Sequence, residues 1–338
     1  MQLSTAKFGL SCLALTLASG GLFACSSDVS NTSESTSTSV SSKNADNVMP
    51  SVQPSYFLSD GLVEPISKVS CSLSDGSTGE CYKIVTENKP SDVGMGPWCP
   101  SNISDDASKG GIWLEGGEVH DVDGEFVKNL AEFYGDSNWN MYNKTTGKII
   151  KTSTLEDCVA AANPNVGAEY RNYCVECLPE YAADLTDTFY IPVTPKASAS
   201  ITEFGGPGPQ SRGPSVRGIA FNGVRFDAPA PVSNILGAYT LAPFDDAGGH
   251  INPHAGYHYH AATGLTTKIE QDDGHAPMIG YALDGYGIYA NTDAEGNEYT
   301  DLDEACGHYD DVRGYHYHVD KAGNNNFING LRGVYAED

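Results

Sequence analysis

Three things are scarce in this chain, and each scarcity excludes something. Positive charge is scarce: 19 lysines and arginines stand against 44 acidic side chains, a formal net charge of −25 with a sequence pI near 4.5. Such a surface repels nucleic acid and anionic lipid headgroups and attracts cations. It also serves solubility and salt tolerance, so charge alone assigns no role. Long apolar runs are scarce: after Phe8–Leu17, no run approaches the ~20 residues that a bilayer span needs. Familiar catalytic signatures are missing too. There is no GxSxG elbow, no P-loop and no HExxH, and Gly205-Gly206-Pro207-Gly208 is too rich in proline to cradle a phosphate.

The N-terminus reads as an export signal. Met1–Lys7 is a short basic region, Phe8–Leu17 is apolar, and Leu22-Phe23-Ala24-Cys25 leads into Ser26-Ser27. This resembles a bacterial lipoprotein signal, 1–24, with Cys25 lipidated as the mature N-terminus. The serines after Cys25 resemble the sorting pattern for the outer membrane. An ordinary cleaved signal is the alternative. Residues 25–54 are mostly Ser, Thr, Asn and acidic residues and form the expected disordered tether. The body is thus expected in the cell envelope, held at a membrane by lipid.

Cysteine usage agrees with an oxidising compartment. Cys71, Cys81, Cys99, Cys158, Cys174, Cys177 and Cys306 lie in the body. Cys71 and Cys81 flank a turn-rich stretch and suit a hairpin disulfide. Cys174-Val175-Glu176-Cys177 lacks a thioredoxin-like setting. A zinc site with a second pair, Cys99 and Cys158, is the less favoured alternative to disulfides. Cys306 sits two residues before His308 and is a possible ligand or near neighbour of a site.

The pattern predicts a mainly β protein with a few short helices. Helical spacing occurs over Phe126–Tyr134, and Thr154 with Asp157 caps a short helix through Ala162. Residues 55–185 form a Cys-containing N-terminal part with short strands. Beyond the Gly- and Pro-rich 203–214, short strand-like runs alternate with turns at Asn222-Gly223 and Asp284-Gly285. A compact β-sandwich or barrel-like C-terminal domain is expected there.

Histidine is concentrated. Of nine histidines, eight lie from His250 to His318. Residues 249–260, GHINPHAGYHYH, and 307–318, GHYDDVRGYHYH, match at seven of twelve positions. On a strand, successive side chains alternate faces. His258 and His260 therefore share one face and Tyr257 and Tyr259 the other; His316, His318, Tyr315 and Tyr317 repeat this. Two histidines at i and i+2 lie ~7 Å apart, within reach of one ion. If the two motifs pair as neighbouring strands, four imidazoles converge, with His250 and His308 folding back from loops. His254 and His275 are spares. Imidazole suits transition metals, and an all-imidazole set points to copper ahead of zinc, with the tyrosine neighbours favouring copper. Asp284, in a tight turn, and other nearby carboxylates are candidates to orient the imidazoles, as are His275 and Cys306. The competing reading is a His–Tyr stacking ladder with no ion.

The chain resembles the YHYH-domain family of bacterial exported proteins. The resemblance rests on Tyr257–His260 and Tyr315–His318, on Gly218–Val224, on Gly274–Tyr289 and on the Leu302–His308 lead. It implies a YHYH domain over 186–338 and a histidine site, and it names no reaction. Relatives often carry a cysteine near Phe327–Gly333; this chain has none there, so a Cys306 disulfide would have to reach the N-terminal half. The expected function is a lipid-anchored envelope protein binding a metal ion through the duplicated motif. A metal-dependent enzyme, oxidative with copper or hydrolytic with zinc, is the alternative, and a structural or adhesive module is the third.

Overall fold

The computed structural model describes residues 51–163, 165–205 and 213–337. The signal, Cys25 and most of the tether lie outside the described residues. The protein is mainly β, with fifteen strands and three short α-helices among the described residues.

The helices follow their local signals. In α1 (Gly124–Phe133), Asp123 accepts a hydrogen bond from the Phe126 N–H, while Val127 and Leu130 are buried. In α2 (Leu155–Ala161), Thr154 accepts from the Asp157 N–H and Cys158 is buried. The third, α3 (Val232–Gly237), has no side-chain cap.

The main body is one eight-stranded sheet. Its strands are β1 (Gly218–Ala220), β2 (Arg225–Phe226), β3 (Gly249–Asn252), β4 (Gly256–Tyr259), β5 (Met278–Ala282), β6 (Gly287–Tyr289), β7 (Gly307–Asp310) and β8 (Gly314–His318). They are ordered β7-β8-β6-β5-β1-β2-β4-β3. The sheet is open: β7 and β3 are its two edges, so the barrel-like form is not adopted. Alternation sorts its side chains. Ile219 and Phe221 join one buried cluster with Phe57, Ile84 and Phe189, whereas Ala220 joins another with Phe226, Tyr259 and Phe327.

Read from either edge, the strand order is the same. β1–β4 and β5–β8 are two copies of one unit, and β1 meets β5 antiparallel at the centre, Ile219 opposite Tyr281. Each unit begins with a hairpin turned at Asn222-Gly223 or Asp284-Gly285, where the glycines have φ of 90° and 85°. The next hairpin then adds its second strand in parallel, β4 to β2 and β8 to β6.

The flanking elements lock onto this sheet. Strand Asp187–Pro192 pairs with Thr78–Thr86, so backbone ladders run across residue 186. Single bridges join Ile112 to Phe244 and Cys174 to Leu241. Three disulfides join described cysteines: Cys71–Cys81, as expected, and Cys99–Cys174 and Cys158–Cys177. The two cysteines of the CxxC stretch each bond elsewhere, which excludes both a redox pair and a four-cysteine zinc site.

At the centre of the sheet no side chain fits at two positions. A Cβ on Gly218 would lie 2.2 Å from the Tyr281 carbonyl oxygen, and one on Gly280 would lie 2.2 Å from that of Ile219. Gly218→Ala and Gly280→Ala are each expected to lower stability by about 1–3 kcal/mol. The measurement is the denaturant midpoint; unchanged midpoints would show that the two units do not meet at these residues.

Two candidate metal centres

The candidate site is built by two hairpins, β3–β4 and β7–β8. Register places His250 opposite His258 and His308 opposite His316. The leading histidines thus sit on paired strands, not on the free loops expected for them. This backbone pairing brings them to their partners.

The tyrosine face anchors each hairpin. The Tyr257 hydroxyl donates to Asp245, 2.8 Å from Oδ1. Asp245 also accepts from the N–H groups of Gly96, Ala247 and Gly249. In the second unit the Tyr315 hydroxyl lies 3.0 Å from Asp303 Oδ2, and Asp303 accepts from Ala305 and Gly307. The glycine before each leading histidine makes room for these rings: a Cβ on Gly249 would lie 2.4 Å from Tyr257 Cζ, and one on Gly307 would lie 2.2 Å from the Tyr315 oxygen. The inner tyrosines are matched too, Tyr259 to Asn222 at 2.8 Å and Tyr317 to Asp284 at 2.6 Å.

This corrects the expected role of Asp284. It lies on the tyrosine face, accepting from Tyr317 and from the Gly333 N–H, and takes no part with the imidazoles. Burial pushes its pKa up to about 6, and Asp245 is raised to about 6 by the same cause. The motif tyrosines likewise point away from the histidines, so the copper argument drawn from them fails. Tyr289 and Tyr299 are the phenols that border a histidine cluster. Tyr299 stacks on His318 with ring centroids 3.8 Å apart, and Tyr289 lies 4.9 Å from His316.

The histidine faces form two clusters, not one. Strands β6, β5, β1 and β2 separate β8 from β4, so the two motifs never meet. In the second unit His275, His308, His316 and His318 converge; in the first, His250, His258 and His260 do. One ligand atom from each residue of a cluster lies within 4.8 Å of those of the others. His316 Nε2 is 3.0 Å from His308 Nε2 and 3.1 Å from His275 Nε2. In the first unit His260 Nε2 is 3.2 Å from His250 Nε2.

Backbone carbonyls set the ring orientation. His260 and His318 face the carbonyls of Ala228 and Ala290 through Nδ1 at 2.7 and 2.8 Å. His258 and His316 do so with Gly256 and Gly314 at 3.1 and 3.0 Å, and His275 with Ala276 at 3.0 Å. A carbonyl only accepts, so each Nδ1 carries the proton and each Nε2 presents a lone pair. Carboxylates were expected in this role, but only Asp301 approaches, 3.1 Å from His308 Nδ1 and without hydrogen-bond alignment. His318 Nε2 is buried with no partner.

Burial favours the neutral form of six of these rings. Desolvation, reinforced by neighbouring histidines, lowers His260 to about 3, His316 to about 4 and His318 to about 2. Desolvation likewise lowers His250, His258 and His275. Neutral imidazole is the ligating form.

The remaining sequence candidates separate cleanly. His275, expected as a spare or an outer-sphere partner, is a full member of the second cluster. His254 is exposed and outside both clusters, and Cys306 is buried and belongs to neither. His275 stands five residues before Gly280; five before Gly218 stands Gly213, so the first unit has no counterpart. The repeat also extends further upstream than residues 249–260 and 307–318. Asp245-x-Ala-x-Gly-His and Asp303-x-Ala-x-Gly-His precede the motifs, and Gly248 and Cys306 share a positive φ of 86° and 67°. That longer alignment was available in the sequence and would have matched Asp245 to Asp303.

The fold and site define a duplicated β-hairpin protein with two polyhistidine clusters. Residues 188–300 match the family described as YHYH protein, so the chain carries a YHYH domain there. The matched region holds the whole first cluster and His275. No match was found among curated proteins or among solved structures.

Acid should unfold the metal-free protein. Histidines with folded pKa below 6.5 bind fewer protons than in the unfolded chain, so their contribution is present above pH 6.5 and is lost as pH falls below it. Asp245 and Asp284, raised to about 6, act in the opposite sense between about pH 6 and 3.8. Six lowered histidines outweigh two raised carboxylates, each net proton being worth roughly 1.4 kcal/mol per pH unit. Tm is expected to fall steadily from pH 7 to pH 5. A flat profile would show that the rings are solvated.

Proposed function

We propose that this protein is an exported, lipid-anchored metal-binding protein of the bacterial envelope. Each unit of its YHYH domain holds one transition-metal ion, copper or zinc. The reading is carried by the second cluster, where four ring nitrogens converge, His316 Nε2 lies 3.0–3.1 Å from those of His308 and His275, and His275, His316 and His318 hold their protons on the other side of the ring against backbone carbonyls. The lone pairs of His275 and His316 repel each other in a dry interior without a cation between them. Four imidazoles, three of them with fixed outer hydrogen bonds, suit tetrahedral zinc and copper alike. A ladder of stacked rings alone gives no reason for every Nε2 to turn inward. The metal-dependent enzyme is the second reading, favoured by the first cluster having only three imidazoles. The N-terminal signal and Cys25 support the anchor.

Elemental analysis of the purified full chain tests the metal. Two ions per chain are expected, one for each cluster. His258→Ala and His316→Ala should each remove one, and the double variant both. Absence of metal after loading would sink the reading. Electron paramagnetic resonance distinguishes copper(II), with nitrogen couplings, from silent zinc. Cys25→Ser is expected to move the protein from the membrane pellet to the soluble fraction; continued sedimentation with membranes would remove the anchor.

A further inference from the structure

The two units are not equivalent, and the difference lies at one coordination position. In the second unit His275 supplies a fourth imidazole, and Tyr289 and Tyr299 pack against it at 4.9 and 5.2 Å. In the first unit the corresponding residue is Gly213, which has no side chain to offer. That unit's three histidines instead border a cavity of about 230 Å³, lined by His250, His258 and His260 among others.

The cavity is walled by the flanking elements rather than by the sheet. Ala161 follows from α2, Val175 from the disulfide-bonded segment, Pro231 and Ile235 from α3, and Trp98 and Pro243 complete it. Its polar groups are already engaged. Glu176 is paired with Lys151 at 2.6 Å and accepts from the Cys99 N–H. The Trp98 ring N–H donates to the Gly249 carbonyl, and the Thr240 hydroxyl donates to that of Ile235. Asn163 and Asn252 accept from backbone N–H groups nearby, and Asn234 is exposed. No uncompensated charge faces the interior. His258 is different: with Nδ1 on the Gly256 carbonyl, its Nε2 has no protein partner and borders the cavity.

We infer that the first unit is an open coordination site. A metal held by His250, His258 and His260 takes its fourth ligand from a small, uncharged, mainly apolar molecule with one nitrogen or oxygen donor, seated in this cavity. Three protein ligands plus an exchangeable position is the arrangement of reactive metal sites, whereas four imidazoles close the second unit for retention. A charged guest would lose its hydration without a counter-charge, while an apolar one gains from walls of alanine, valine, proline and isoleucine. The donor atom needs no further polar recognition because the metal provides it. This inference rests on the metal reading proposed above.

Cobalt(II) in the purified full chain makes the fourth ligand visible, and pyridine is the probe: neutral near pH 7.5, apolar, with one nitrogen donor. Two cobalt ions per chain are expected, and pyridine should shift the visible ligand-field bands saturably. His258→Ala should retain the second cobalt and lose the pyridine response. Ile235→Trp, at a half-buried position, should keep both cobalt ions and weaken pyridine binding by at least roughly tenfold by filling the cavity. Two bound cobalt ions with no pyridine response would overturn the open site and leave the metal reading standing. So would a response that survives in His258→Ala, or one unweakened in Ile235→Trp. Absence of bound cobalt would overturn both.

Discussion

The structure depends on the two faces of one short strand type being held by opposite chemistry. On one face, buried tyrosine hydroxyls are tied to Asp245, Asp303, Asp284 and Asn222. On the other, imidazoles are turned by backbone carbonyls so that their lone pairs converge. A buried hydroxyl without a partner costs about 1–3 kcal/mol. A register slip of one residue would exchange the faces and strand both sets. The tyrosine bonds therefore position the histidines without touching them. The glycines before His250 and His308 belong to the same device, since any side chain there would displace the phenol ring from its carboxylate.

Duplication explains the rest of the plan. Two four-stranded units meet at a glycine-lined centre, and each pushes its histidine hairpin to a far edge of the sheet. The units share the carbonyl that orients the last histidine, Ala228 in one and Ala290 in the other. They differ in what covers the histidine face. His275, with Tyr289 and Tyr299, closes the second cluster. The disulfide-bonded segment, α2 and α3 roof the first and leave a cavity. The N-terminal part is thus an element of the first site, since Trp98, Val175 and Glu176 line it.

Much of the local plan was legible in the sequence. The helices begin at Asp123 and Thr154, where short polar side chains satisfy exposed N–H groups. The turns at Gly223 and Gly285 require positive φ. Asp284 was misassigned because a carboxylate in a tight turn beside a histidine motif offers both faces equally until the pairing of β8 is known. His275 was undervalued for a related reason. It lies outside both motifs, 41 residues from its contact His316, and only the packing of the segment before β5 brings it in. The single converging site expected from neighbouring motifs failed because strand order is a non-local property.

The sequence by itself determined the alternation of tyrosine and histidine, the matching of the two hairpins, the mainly β character and the family. These follow from period-two geometry and from repetition within a dozen residues, both of which are local. Tertiary structure alone decided that the motifs lie at opposite ends of one sheet, that His275 joins one cluster, and that a cavity adjoins the other. Those outcomes depend on which strands share backbone hydrogen bonds and which segments cover the sheet. Such choices arise from contacts between residues far apart in the chain, for which neither spacing nor composition carries a signal.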